Sequence, residues 1–120
     1  MQEHWNDQQP IYRQLRDRVA AQVLNGHFKE GEAVPSVRQV ASESKVNHLT
    51  VSKAYQELVD EGVLEVKRGR GMFVVSGAQN KLKQVERDKF ICEELPQLAS
   101  RMDQLNISPD DLIHLLKEQS

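Results

Sequence analysis

The sequence predicts a mainly α-helical protein that carries one small β-hairpin, and three observations predict it. Up to residue 60, apolar residues recur at three- and four-residue steps in three successive stretches. That is the spacing of helices that each bury one face. The runs VLEVK and MFVV then flank RGRG, two short strands around a glycine-supplied turn. After Ser76-Gly77 the period changes to a heptad-like one. These blocks divide the chain into an arm at residues 1–9, a winged helix-turn-helix domain at 10–76 and a helical segment at 77–120.

Residues 1–9 are polar and acidic and form an arm that orders only if Trp5 finds a pocket. Pro10 suits the first turn of a helix, where its missing N–H costs nothing. Tyr12, Leu15, Val19 and Val23 run at helical spacing, and Gly26 is the natural stop. The turn around Gly31 leads toward a short strand at Ala33–Val34. Ser36, with Gln39 three residues on, predicts a capping box for a two-turn helix ending near Ser44. Val37, Val40 and Ala41 form its apolar stripe. Lys45-Val46-Asn47 is a tight connection, and Asn47 caps the next helix. That stretch, Val46 to Leu58, sets Val46, Leu49, Val51, Ala54, Tyr55 and Leu58 at the spacing of one buried face. Two helices joined this closely, the second amphipathic, make a helix-turn-helix. Gly62 ends the pair and the hairpin follows as a wing.

In the C-terminal segment, Ile91, Leu95, Leu98, Met102 and Leu105 are spaced four, three, four and three. Leu82, Val85 and Phe90 extend the seam less regularly. Pro96 interrupts it, removes one backbone hydrogen bond and bends the helix near Cys92. Asn106 is the expected C-terminal cap. Ser108-Pro109-Asp110-Asp111 starts a last helix whose apolar face includes Leu112, Ile113, Leu115 and Leu116. A long and a short helix cannot bury such stripes alone, and a second copy of the chain is the expected cover. Cys92 is expected to be a partly buried helix residue.

Composition narrows the function. The formal net charge is −2, but Ile11–Val75 holds ten Lys/Arg against eight Asp/Glu, whereas both ends are acidic. The mildly basic middle fits a local anion-binding face. One cysteine excludes an intramolecular disulfide. No apolar run approaches the roughly 20 residues that span a bilayer, and the polar N-terminus is wrong for a signal peptide, so no membrane role and a cytoplasmic location are expected. The histidines lack ligand spacing and no nucleophile–base pair stands out. Neither an enzyme nor a metal or other cofactor is therefore expected.

The sharpest signal is the front of the second helix-turn-helix helix. Asn47, His48, Thr50, Ser52 and Lys53 are polar, and the acids Glu57, Asp60 and Glu61 follow only later. A helix N-terminus carries partial positive charge and free N–H groups, so a helix that approaches phosphates keeps acids away from that end. Arg68 and Arg70 at the hairpin tip can reach flanking phosphates or the minor groove.

The segments PIYRQLRDRV, GEAVPSVRQVA and VNHLTVSKAYQELVDEGVLEVKRGRGMFV together resemble the N-terminal domain of the GntR family of bacterial transcription regulators, from Pro10 to Val75. The run VNHLTVSKAYQEL, in a domain that ends at Val75 with only 45 residues after it, is similar to the YtrA subfamily, whose members carry two dimerising C-terminal helices and in many cases repress transporter operons. The resemblance implies backbone contact by Arg38. It implies DNA contact by His48, Leu49, Thr50 and Ser52, and a wing tip at Arg68, Gly69 and Arg70. His48, Leu49 and Ser52 depart from the family's usual residues, so no base preference carries over. Pro96 is a departure too.

The combined expectation is a homodimeric regulator, most plausibly a repressor, that binds double-stranded DNA at an inverted repeat. Asn47, His48, Leu49, Thr50, Ser52 and Lys53 present the reading helix, and Arg38 with Arg68, Gly69 and Arg70 flanks it. Phe90, Ile91, Leu95, Leu98, Met102, Leu105, Leu112 and Leu116 form the dimer surface. A small-molecule effector, if there is one, has its place beside the C-terminal helices or at the dimer interface. The alternative is a protein-interaction adaptor that uses the C-terminal helices to hold a different protein.

Overall fold

The computed structural model describes residues 5–120. Helices α1 (Ile11–Leu24), α2 (Val37–Ser44) and α3 (His48–Asp60) precede strands β1 (Leu64–Lys67) and β2 (Gly71–Val74). Helices α4 (Ala78–Lys89), α5 (Leu95–Gln104) and α6 (Pro109–Glu118) follow. The chain forms two compact units that divide between Lys83 and Gln84, inside α4. The expected division was at Ser76-Gly77.

The first unit is a winged helix-turn-helix. Its core is built from Leu15, Val19 and Val23 of α1, Val40 and Ala41 of α2, and Val51, Ala54, Tyr55 and Leu58 of α3. Leu64 and Val74 close it from the hairpin, and Ala78 and Leu82 from the start of α4. Burying side chains of this size yields roughly 1.5–3 kcal/mol each, which drives assembly of three short helices that would be marginal alone. Of the positions the helical spacing predicted, Leu15, Val19 and Val23 of α1 and Val51, Ala54, Tyr55 and Leu58 of α3 are buried. Tyr12 and Val46 are half-buried, and Leu49 is exposed, because it lies in the first turn on the side of α3 away from the core.

Local chemistry sets the ends of the elements. The Ser36 hydroxyl accepts from the Gln39 N–H at 3.0 Å, capping α2. Only half of the expected capping box forms. The Gln39 side chain instead donates to Glu43 one turn on, at 3.2 Å. Helix α3 starts at His48 with Asn47 as its cap, the Asn47 side chain accepting from the Leu49 N–H at 2.7 Å. At the other end Gly62, at φ +78°, lets its own N–H reach Val59 O and the Val63 N–H reach Leu58 O. These bonds satisfy carbonyls the helix leaves open. The Ala33–Val34 strand shrinks to one bridge, Ala33 against Phe73, with the Val34 N–H on Met72 O.

Two long-range ties were not visible in the sequence. Gln14 is buried and its amide behaves like a peptide group, accepting from the Asn6 N–H and donating to Asn6 O and Gln9 O. With Trp5 packed on the core under the Arg18 guanidinium, this fastens the described part of the arm. The arm's first four residues lie outside the described residues. The Glu30 carboxylate accepts from the backbone N–H groups of Gly77 and Gln79 and so caps α4, which holds its pKa below the usual carboxylate range.

In the second unit, the helical path widens ahead of Pro96. Phe90–Glu94 is a π-helical turn, with the Leu95 N–H bonded to Phe90 O five residues back. The wider turn takes up the bond that proline cannot make. Cys92 lies in this turn and is exposed, not partly buried as expected. Asn106 takes a left-handed φ of +55° and closes α5 as predicted, with the Ile107 N–H on Met102 O. A full capping box between Ser108 and Asp111 opens α6.

Tyr55 is fully inside the core, yet its hydroxyl donates to Pro35 O at 2.6 Å. Burial raises its pKa well above the ordinary tyrosine value. A raised folded-state value means the stabilisation is complete below about pH 10 and is lost as pH climbs above it. Tyr55→Phe is expected to lower stability by about 1 kcal/mol at neutral pH. It should also flatten the alkaline loss, as read from urea melts between pH 7 and 11.

Candidate nucleic-acid interface

The buried stripe of α3 leaves the opposite stripe free. His48, Leu49, Ser52, Lys53 and Gln56 are all exposed and follow one another at helical steps. Thr50 is half-buried and is the least presented of the expected contacts. The structure thus brings together five of the six expected α3 positions as a surface, if Asn47 is counted at the cap. Asn47 itself spends its side-chain oxygen on the helix start.

Electrostatics divide the helix along its length. The acids at the C-terminal half of α3 are taken up by α1. Arg16 donates to both oxygens of Glu61 and also meets Asp17, while Arg13 lies 3.8 Å from Glu57. The hydrogen bond to Glu61 raises the Arg16 pKa, partial burial opposes it, and Asp17 adds to the rise. Gln56 holds Asp60 at 2.9 Å. No acid stands in the first turn of α3, so its positive N-terminal end faces outward unneutralised.

Lys53 is placed by Tyr12, which lies on the apolar spacing of α1. Its ammonium sits 3.9 Å from the centroid of the Tyr12 ring on α1. Tyr12 is half-buried, and its ring face attracts the cation. Arg38 on α2 is exposed, and Glu43 on the same helix is engaged by Gln39. Lys45, between the two helices, adopts the left-handed conformation with φ 53°. Nothing in the sequence marked that position, since a glycine or asparagine would be the ordinary choice there.

The wing is a tight hairpin. Lys67 pairs with Gly71, the Arg70 N–H bonds Lys67 O at 2.8 Å, and Gly69 sits at φ +75°. Arg68, Gly69 and Arg70 are therefore the exposed tip. Phe73 organises the cations beneath it, with Lys67 at 4.5 Å and Arg70 at 5.5 Å from its ring centroid. Lys67 and Phe73 were not singled out from the sequence; only their diagonal contact across the hairpin reveals the role.

The eight residues expected to form a dimer surface fall in the second unit. No residue of 84–120 is buried. Phe90, Ile91, Leu95, Leu98, Leu105 and Leu116 are exposed, and Met102 and Leu112 are half-buried. Among the described residues no group of His, Cys, Asp and Glu could hold a metal ion, and no helix is long and apolar enough to cross a membrane.

Residues 11–74 match the family model of bacterial regulatory proteins, gntR family. The HTH-type transcriptional repressor YtrA of Bacillus subtilis is 36% identical over 111 residues, spanning 92% of this chain and 85% of that protein. A transcriptional regulator from Oenococcus oeni superposes with a TM-score of 0.76 at 25% identity, covering 96% of this chain and 94% of that one. The DNA-binding domain of AraR, solved in complex with operator ORE1, shares the fold over 62% of this chain and 94% of its own, with TM-score 0.55 and 23% identity.

Asn47→Ala removes the acceptor at the start of α3. It is expected to cost about 1 kcal/mol, and Asn47→Gly only a few tenths, measured by thermal or urea unfolding.

Proposed function

The chain belongs to the GntR family of bacterial regulatory proteins and is a DNA-binding transcription regulator of YtrA-like type, and on that premise we propose that it is a homodimeric repressor reading an inverted-repeat operator. The observation that carries the reading is the exposed, acid-free N-terminal stripe of α3, backed by a continuous core. A helix can lie in the major groove only if it projects beyond its own domain with no acid facing the phosphates. Its acids are held at the far end by Arg13 and Arg16.

Roles divide by chemistry. Arg38, Lys53, Arg68 and Arg70 contact phosphates, and Gly69 lets the tip approach closely. His48, Thr50 and Ser52 contribute selectivity by hydrogen bonding to base edges, and the backbone at Asn47 directs the helix end toward the DNA. Phosphate contacts set the affinity and its dependence on salt.

The dimer reading rests on the second unit. Thirty-seven residues without one buried side chain cannot be stable alone. A second copy laid along Ile91, Leu95, Leu98 and Leu105 would bury them. The regulated genes are proposed to be a transporter-type operon, supported by the likeness to YtrA-like regulators.

A gel-shift titration of Arg68→Ala/Arg70→Ala tests the wing. Each lost phosphate contact lowers the slope of log affinity against log salt by about 0.9, so the double variant should lose affinity and nearly two slope units. Wild-type affinity and slope in the variant would remove the wing from the interface. Sedimentation at micromolar concentration should give the dimer mass, and a clean monomer would overturn the dimer.

A further inference from the structure

Leu49 is 78% exposed, the largest exposure of any large apolar residue described. Its place makes this informative. It is the second residue of α3, one helical step from Ser52 and Lys53, on the stripe that faces away from the core. The exposed apolar residues of 84–120 have the proposed partner copy to cover them, whereas Leu49 stands among hydrogen-bonding and charged side chains. Its backbone N–H is tied to Asn47, so the side chain projects from a fixed point in the first turn.

A leucine can offer a phosphate nothing, and it cannot pair with the donors and acceptors on base edges. The major groove presents one apolar group, the C5-methyl of thymine. We propose that Leu49 packs on a thymine methyl in each half-site and is a specificity-determining residue of this protein. The inference rests on reading α3 as the DNA-contacting helix. It assigns to Leu49 a contact of a different kind from those of His48, Thr50 and Ser52.

The test uses a duplex recovered with the wild-type protein from a random DNA pool. Each thymine is replaced singly by deoxyuridine, which removes the methyl and leaves base pairing intact. The wild type should lose about fourfold in affinity at one thymine of each half-site, the worth of one buried methyl. Leu49→Ala should bind the thymine and uracil duplexes equally, and Leu49→Met should retain the preference. Because Leu49 is exposed, all three proteins should melt together. If no thymine shows the loss, or if Leu49→Ala keeps it undiminished, the inference is overturned while the DNA-reading assignment stands. If the wild type enriches no sequence, both fall.

Discussion

Helix α3 has to bury one face and offer the other, and Tyr55 is where those two demands meet. Its ring fills the centre of the core, and its hydroxyl would be costly there without a partner. It donates to the carbonyl of Pro35, just before the cap of α2. That bond sets the two helices of the helix-turn-helix against each other from the inside. With Val51, Ala54 and Leu58 on the same stripe, the rotation of α3 about its axis is determined. The exposed stripe is therefore a consequence of the core, and its aim is as rigid as the packing beneath it.

Charge follows the same division. Arg13 and Arg16 of α1 hold the acids at the C-terminal end of α3, while the N-terminal end has none. Aromatic rings then station individual cations: Tyr12 holds Lys53, and Phe73 holds Lys67 and Arg70. A net charge of −2 is compatible with DNA binding because the acids at the C-terminal end of α3 are engaged away from its N-terminal end. Stacked cations also lose less freedom on binding phosphate than free ones would.

Much of the fold was legible because it is written locally. Asn47, Gly62, Asn106 and Ser108 act at the helix ends where the sequence placed them. The heptad-like seam fell on a helical segment. What escaped depends on contacts distant in sequence or on competing local partners. Gln39 chose Glu43 over the backbone of Ser36, a choice between two bonds of similar worth. The π-helical turn before Pro96 is one of several ways to absorb a missing N–H. The Gln14 amide on the arm and the Glu30 cap on α4 join segments that no periodicity connects. At the candidate site the residue types were readable, and their support was not: Tyr12 read as a core position, and Phe73 as an ordinary strand residue.

The central claim is that the outward stripe of α3 reads a symmetric site on DNA as part of a dimer. Selection of bound duplexes from a random pool by the full chain, followed by footprinting, tests it most directly. A dimer reading DNA through α3 should enrich an inverted repeat whose half-sites lie about one helical turn apart, roughly 34 Å, or a multiple of it. Protection should centre on the major groove of each half-site, with the wing arginines protecting flanking backbone. A pool with no enriched sequence, or a single asymmetric site protected by one copy, would contradict it.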